Sequence, residues 1–194
     1  RIREFVEKQK PRSAVLAGGG YIGLELAENL NELGVDVTII QRPKHLLNPF
    51  DPEMAAFIHA KLRSKGIRLM LGHSVEGFRQ EGDNVEVLLK DAASVTTDLV
   101  ILAIGVTPDS HLAVEAGIKT GIKGSIAVND RMETSVPDIY AVGDAVEVQH
   151  RITGAKSLIA LAGPANRQGR IAADNICGGD SRYPGSIGSS VIKV

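Results

Sequence analysis

Residues 13–42 read S-A-V-L-A-G-G-G-Y-I-G-L-E-L-A-E-N-L-N-E-L-G-V-D-V-T-I-I-Q-R, and this run decides the fold. Ser13 to Ala17 is a short apolar strand. Gly18-Gly19-Gly20 breaks it, after which Ile22, Leu26, Leu30 and Leu33 recur at helical spacing. Gly34 stands where a left-handed cap ends a helix, and Val35 to Ile40 is a strand rich in β-branched residues. Strand, glycine turn, helix and strand form the unit from which parallel sheets with right-handed crossovers are built.

Gly18-Gly19-Gly20-Tyr21-Ile22-Gly23 satisfies G-x-G-x-x-G after a strand and at a helix start, the context in which that pattern carries chemistry. Gly18 permits the tight turn, Gly20 lets a pyrophosphate approach the backbone, and Gly23 allows helix to pack closely on strand. The helix N-terminus adds free N–H groups and a partial positive charge. The ligand implied is NAD(H) or NADP(H). At the end of the second strand an acid is expected for the adenosine ribose. Gln41 stands there instead, followed by Arg42 and then Lys44. Gln41 can bond a hydroxyl and does not repel a 2′-phosphate, which Arg42 could grip in bidentate fashion. Alternatively Arg42 and Lys44 form a solvated turn among Pro43 and Pro49, so both nucleotides stay open.

Working outward, residues 2–9 suit a lead-in helix with Ile2, Phe5 and Val6 on one face. Asp51-Pro52-Glu53 starts a helix with a capping carboxylate, Met54, Ile58 and Leu62 form its stripe, and Gly66 closes it. Ile67 to Leu71 is a third strand. Ser74 to Gln80 and Asn84 to Lys90 alternate and form a hairpin through residues 81–83. Leu99 to Ile104 is a fully apolar strand of the sort buried on both faces of a parallel sheet. Further on, Ile139 to Val142 predicts another buried strand, and a last helix runs from about Leu158 to Cys177, stopped by Gly178-Gly179. The expected class is α/β: a Rossmann-like parallel sheet with flanking helices plus a β-meander, followed by a partial segment of a second α/β domain. The expected division is 1–110 and 111–194. A start at Arg1 and a strand-like end over residues 190–194 suggest a segment of a longer polypeptide.

Composition excludes other classes. With 22 Lys and Arg against 23 Asp and Glu, there is no electrostatic case for nucleic acid or an anionic membrane surface. No apolar run approaches the roughly 18 residues of a membrane span, and no signal peptide opens the chain, so a cytoplasmic location is the default. His45, His59, His73, His111 and His150 are scattered without ligand spacing, and no metal site is expected. Cys177 lacks a basic neighbour in sequence and reads as structural.

Three segments then agree with one family. G-G-G-Y-I-G-L-E at Gly18 to Glu25 resembles the pyridine-binding motif of the pyridine nucleotide-disulfide oxidoreductases, a flavoprotein family. T-S-V-P-D-I-Y-A-V-G-D at Thr134 to Asp144 is similar to that family's second FAD motif, and Leu102-Ala103-Ile104-Gly105 to its A-x-G segment. Leu158 to Arg170, with A-G-P-A-N-R-Q-G-R, and Tyr183 to Val194 look most like the coenzyme A-disulfide reductase and NADH oxidase branch. The resemblance implies FAD as a second cofactor, and hydride passage from NAD(P)H through FAD to a disulfide, persulfide, peroxide or dioxygen. It places Tyr21 over the nicotinamide pocket and Glu25 facing the flavin–nicotinamide region. Asp144, after Gly143, falls where a carboxylate bonds the FAD ribityl hydroxyls, and Ala162 where a helix-start amide meets the flavin pyrimidine edge. It also implies a homodimer, with the redox cysteine and the first FAD fingerprint upstream. No catalytic residue is therefore expected within these residues, nor competence on their own. The alternative, a non-enzymatic NAD(H)-sensing module, explains the glycine loop and gives no reason for the 134–144 motif. A single-cofactor dehydrogenase would need Tyr-x-x-x-Lys, which Tyr21, Tyr140 and Tyr183 lack.

Overall fold

Ile2–Gln9 (α1) leads into β1 (Ser13–Ala17), α2 (Tyr21–Glu32), β2 (Asp36–Gln41), α3 (Pro52–Ser64) and β3 (Arg68–Leu71). There follow β4 (Val75–Glu81), β5 (Asn84–Leu89), β6 (Val95–Thr97) and β7 (Leu99–Leu102). The computed structural model describes residues 1–189 and 191–192. They form two compact units, residues 1–105 with Val191 and Ile192, and residues 106–189.

In the first unit β3-β2-β1-β7 make a parallel sheet, and β4-β5-β6 an antiparallel meander. Strand alternation assigns the layers. Ala14, Leu16, Val37 and Ile39 join Leu24, Ala27, Leu30 and Leu62 in one core on the helical face. Val15 and Ile40, from the intervening positions, join Val87 and Leu89 of the meander in another. The unit is thus helices, parallel sheet and meander, with the meander covering the face that a doubly wound fold gives to helices. Each such Val, Leu or Ile contributes about 1.5–3 kcal/mol on burial.

Several expected details change. On α2 the buried face is Gly23, Leu24, Ala27 and Leu30, whereas Ile22 and Leu33 are 59% and 69% exposed. Gly23 must face the sheet, which turns its neighbour Ile22 about 100° away. On α3 Ala55 and Leu62 are buried and Met54 is exposed. Asp51 makes no side-chain cap; the turn is held by its carbonyl, which accepts the Met54 N–H at 3.0 Å. The hairpin turn is Gly82-Asp83, flanked by the pair Glu81 and Asn84, with Gly82 at φ 59° in the position a type II′ turn gives to glycine. β7 pairs with β1 alone and so is an edge strand, yet it packs on both faces as expected, Leu99 and Ile101 in the helical core and Val100 against the meander; it ends at Leu102, which is 58% exposed.

The sheet's opposite end is tied by Asp98. Its Oδ2 accepts the N–H groups of Arg12 at 2.7 Å and Ser13 at 3.0 Å, while the Ser13 hydroxyl accepts the Asp98 N–H at 3.1 Å. The Arg12 and Ser13 amides hold this carboxyl below the usual carboxylate range. A depressed folded-state pKa means stability present above the unfolded value and lost as pH falls through the folded one. Asp98→Ala is expected to remove part of the acid-side loss of stability, measured as thermal unfolding against pH; an unchanged acid limb would refute this.

The second unit holds α4 (His111–Glu115), β8 (Ile126–Ala127), β9 (Val146–Gln149), β10 (Lys156–Ser157) and α5 (Ala162–Ile176). Its sheet runs β10-β9-β8, and Met132, Val146, Val148, Ile171, Ala172 and Tyr183 form its core. Residues 139–142 are not the buried strand expected. Pro137 and Asp138, the latter at φ 63°, turn the chain just before them, and Tyr140 makes a single bridge to Glu133. Ile139 and Val142 are exposed. The last helix begins at Ala162 rather than Leu158, because Lys156 and Ser157 pair with β9 and Leu161 is still extended. Cys177 is exposed at the C-terminal end of α5. The expected 190–194 strand lies largely outside the described residues; of these, Val191 and Ile192 belong to no strand.

Candidate functional site

At the C-terminal end of β1 two glycines are closed in and a third is open. Gly18 has φ 113°, and a Cβ there would lie 2.3 Å from the Ala103 carbonyl oxygen. A Cβ on Gly23 would lie 2.1 Å from the carbonyl oxygen of Gly18. A Cβ on Gly20, the N-cap of α2, would meet nothing within 4 Å among the described residues. Sheet bonds fix the turn from both sides: Gly18 N–H donates to Ile40 O at 2.8 Å, and Ala103 N–H to Ala17 O at 2.8 Å.

A cleft of about 640 Å³ opens over this turn. Gly18, Gly19, Gly20, Tyr21, Gln41, Arg42, Ala103, Ile104 and Gly105 all line it. Ile22, Gly23, Glu25 and Lys44 do not: Gly23 acts through packing, while Ile22, Glu25 and Lys44 are exposed. Tyr21 is half-buried and meets Phe50 edge-on, with ring centroids 6.4 Å apart at 75°. Arg42 is exposed at the rim. Gln41 has a task that the sequence did not suggest. Its Oε1 accepts the Gly19 N–H at 2.8 Å, so the amide shapes the turn and leaves only Nε2, 3.5 Å from His45 O, toward a ligand.

Sequence reasoning missed the segment after Arg42. Leu46 is fully buried, and a Cβ on Gly19 would lie 2.2 Å from its Cδ2. Leu47, buried at φ 49°, donates its N–H to Gly19 O at 2.9 Å. The signal was an apolar pair, Leu46-Leu47, inside a polar, proline-flanked turn. His59 of α3 accepts the Leu46 N–H on Nε2 at 3.1 Å. Burial, then the charge of Arg63, then His45, lower the His59 pKa below its ordinary value. His73 also lines the cleft.

In the second unit Gly143, Asp144 and Ala145 form a single tight helical turn, with Gly143 at φ 85°. Gln168 of α5 accepts the Gly143 N–H at 2.7 Å and is 1% exposed, a partner that was not foreseen. Asp144 is exposed on that turn. Ala162 is the first residue of α5, whose start has no side-chain cap, so the Ala162 and Gly163 N–H groups have no intrahelical partner. Among the described residues no group of His, Cys, Asp and Glu could hold a metal ion, and no helix is long and apolar enough to cross a membrane.

A parallel β1-α2-β2 unit with a glycine turn at the strand end is the architecture of the Rossmann-like dinucleotide-binding class. The chain belongs to the pyridine nucleotide-disulphide oxidoreductase family, whose profile matches residues 2–169. It is 42% identical over 194 residues to a CoA-dependent NAD(P)H sulfur oxidoreductase of Pyrococcus abyssi, covering 99% of this chain and 43% of that one. It is 38% identical to an NADH oxidase of Methanocaldococcus jannaschii, covering 100% of this chain and 43% of that one. The reduced CoADR-RHD of Bacillus anthracis superposes with a TM-score of 0.95 at 44% identity, covering 100% of this chain and 35% of that one. The chain therefore spans less than half the length of the curated relatives it matches.

Proposed function

We propose that residues 1–105 hold the ADP half of NAD(H) or NADP(H) in the cleft over the glycine turn. The observation that carries this is the contrast among the three glycines: Gly18 and Gly23 are locked by backbone, while Gly20 faces open space at a helix N-terminus. That vacancy fits a diphosphate, which the free N–H groups of the first turn of α2 would bind. Tyr21 and the segment Ala103-Ile104-Gly105 line the same cleft, the latter following β7 across β1 from β2, and they suit contact with the nicotinamide half. Residues 111–194 supply part of a flavin site, with Asp144 toward the ribityl hydroxyls and the amide of Ala162 toward the pyrimidine edge. An exposed carboxylate on a fixed turn and an uncapped helix start fit those partners. When bound, FAD supplies the acceptor for hydride from NAD(P)H.

The parent enzyme then passes electrons to a disulfide, persulfide, peroxide or dioxygen, and the relatives' names point to sulfur compounds or oxygen. We place it in the cytoplasm as a homodimer, and take residues 1–110 and 111–194 as its nucleotide and flavin portions. Glu25 and Lys44 act outside the cleft: Glu25 suits a charge contact from another part of the parent, and Lys44 adds positive charge near Arg42. These residues by themselves bind the nucleotide without turning over an acceptor.

Calorimetry of the chain with NADH and NADPH tests the reading, and absence of uptake of both at millimolar levels would refute it. Arg42→Glu separates the two nucleotides. It is expected to weaken NADPH binding about tenfold or more, because a bidentate guanidinium–phosphate pair is replaced by like charges. NADH affinity should move by less than about threefold, as an exposed site screens the remaining charges. Equal losses for both would show that Arg42 does not read the 2′ position.

A further inference from the structure

The segment between β2 and α3 is held by two histidines acting on one residue. A carbonyl only accepts, so His45 Nδ1, 2.9 Å from Leu46 O, donates to it. A backbone N–H only donates, so His59 Nε2, 3.1 Å from Leu46 N, accepts and must be unprotonated. Leu46 in turn fills the space against Gly19, and Leu47 N–H is bonded to Gly19 O at 2.9 Å. Leu47, Asn48 and Pro49 continue into the lining of the cleft. We infer that His59 is a positioning residue for the dinucleotide turn, and that its neutral ring holds Leu46, and through Leu46 and Leu47 the backbone of Gly19, in the binding geometry. This rests on the cofactor reading given above.

Protonation of His59 replaces the acceptor at Nε2 by a second N–H, which faces the Leu46 N–H with no acceptor between them. The bond is lost and the segment is released. The same event at His45 does not do this, because Nδ1 remains a donor to Leu46 O. Arg63, one turn along α3, and His45 are the charged and titratable groups acting on His59, and both resist its protonation. Burial first, then these two groups, hold its pKa below the ordinary imidazole value. The sign follows: binding geometry is intact above that value and is lost as pH falls through the depressed folded pKa. A positive charge at His73, which lines the cleft, would favour an anionic ligand and so acts in the opposite sense.

The test is calorimetry of the chain with NAD⁺ from about pH 8.5 to about pH 5. NAD⁺ is chosen because the 2′-phosphate of NADP⁺ itself titrates near pH 6. Wild-type affinity is expected to fall about five- to tenfold across the titration of His59, the scale of one hydrogen bond converted at tenfold per 1.4 kcal/mol. His59→Gln offers a non-titrating acceptor, and its affinity, whatever its level, should not fall by more than about twofold as the pH is lowered. A flat wild-type profile, or a glutamine variant that falls in parallel with wild type, would overturn the inference. Should circular dichroism show that variant unfolded, wild-type NMR decides: the Leu46 amide must titrate with the midpoint of the His59 ring, and a flat amide overturns the clamp. No uptake of NAD⁺ even at pH 8.5 would overturn the cofactor reading itself.

Discussion

Replacing Gly18 by alanine is expected to lower the unfolding free energy by about 3 kcal/mol and the melting temperature by about 10–20 °C. It should also remove dinucleotide binding by more than about a hundredfold. Two costs combine. At φ 113° an L side chain is strained wherever it points. The new Cβ would also sit 2.3 Å from the Ala103 carbonyl oxygen, which is backbone and cannot swing aside. Relief requires β1 and β7 to part, although they are bonded through Ala103 N–H and Ala17 O. The contrast is Gly20→Ala, where φ is −83° and a Cβ meets nothing within 4 Å. That variant should keep its stability within about 1 kcal/mol and still lose affinity, because the methyl would occupy the space proposed for the diphosphate. Wild-type melting for Gly18→Ala would show that the close approach is not what the turn depends on.

Gln168→Leu is expected to cost the second unit about 2 kcal/mol. The side chain is 1% exposed, and its Oε1 is the acceptor for the Gly143 N–H at 2.7 Å. Leucine keeps the volume and abolishes the acceptor, which leaves a desolvated amide at a penalty of about 1–3 kcal/mol. Hydrogen exchange reads this directly: protection of the Gly143 amide should fall about thirtyfold, since 1.4 kcal/mol is a factor of ten. If that amide exchanges as slowly in the variant as in wild type, something other than Gln168 holds the turn bearing Asp144.

The sheet and the glycine turn were readable from the sequence because their signals are local. A strand of apolar residues and a G-x-G-x-x-G step bring their own geometry, and β1, α2, β2 and β3 stand within a residue or so of where periodicity puts them. What was not readable is which neighbour each face meets. Leu99 to Leu102 is as apolar as a central strand, yet it is an edge, a fact set by pairing with β1 alone. Ile22 fits a helical stripe but points away, because Gly23 takes the contact with the Gly18 carbonyl. Ile139 to Val142 has strand composition, but Pro137 and Asp138 leave it a single bridge. In the site, Gln41 was read against a ligand, whereas its amide serves the Gly19 N–H. The clamp on Leu46 joins side chains from residues 45 and 59 and leaves no periodic trace.

The contact of Ala103 with Gly18 also sets an order of events during synthesis. Gly23 completes the fingerprint, yet Ala103 follows 80 residues later. At about 5–20 residues per second a ribosome needs roughly 4–16 s to cover that interval. Throughout it the emerging polypeptide carries every glycine of the motif and lacks the strand that backs them. On the proposed cofactor reading, nucleotide capture on the ribosome is expected to wait for the last parallel strand to dock.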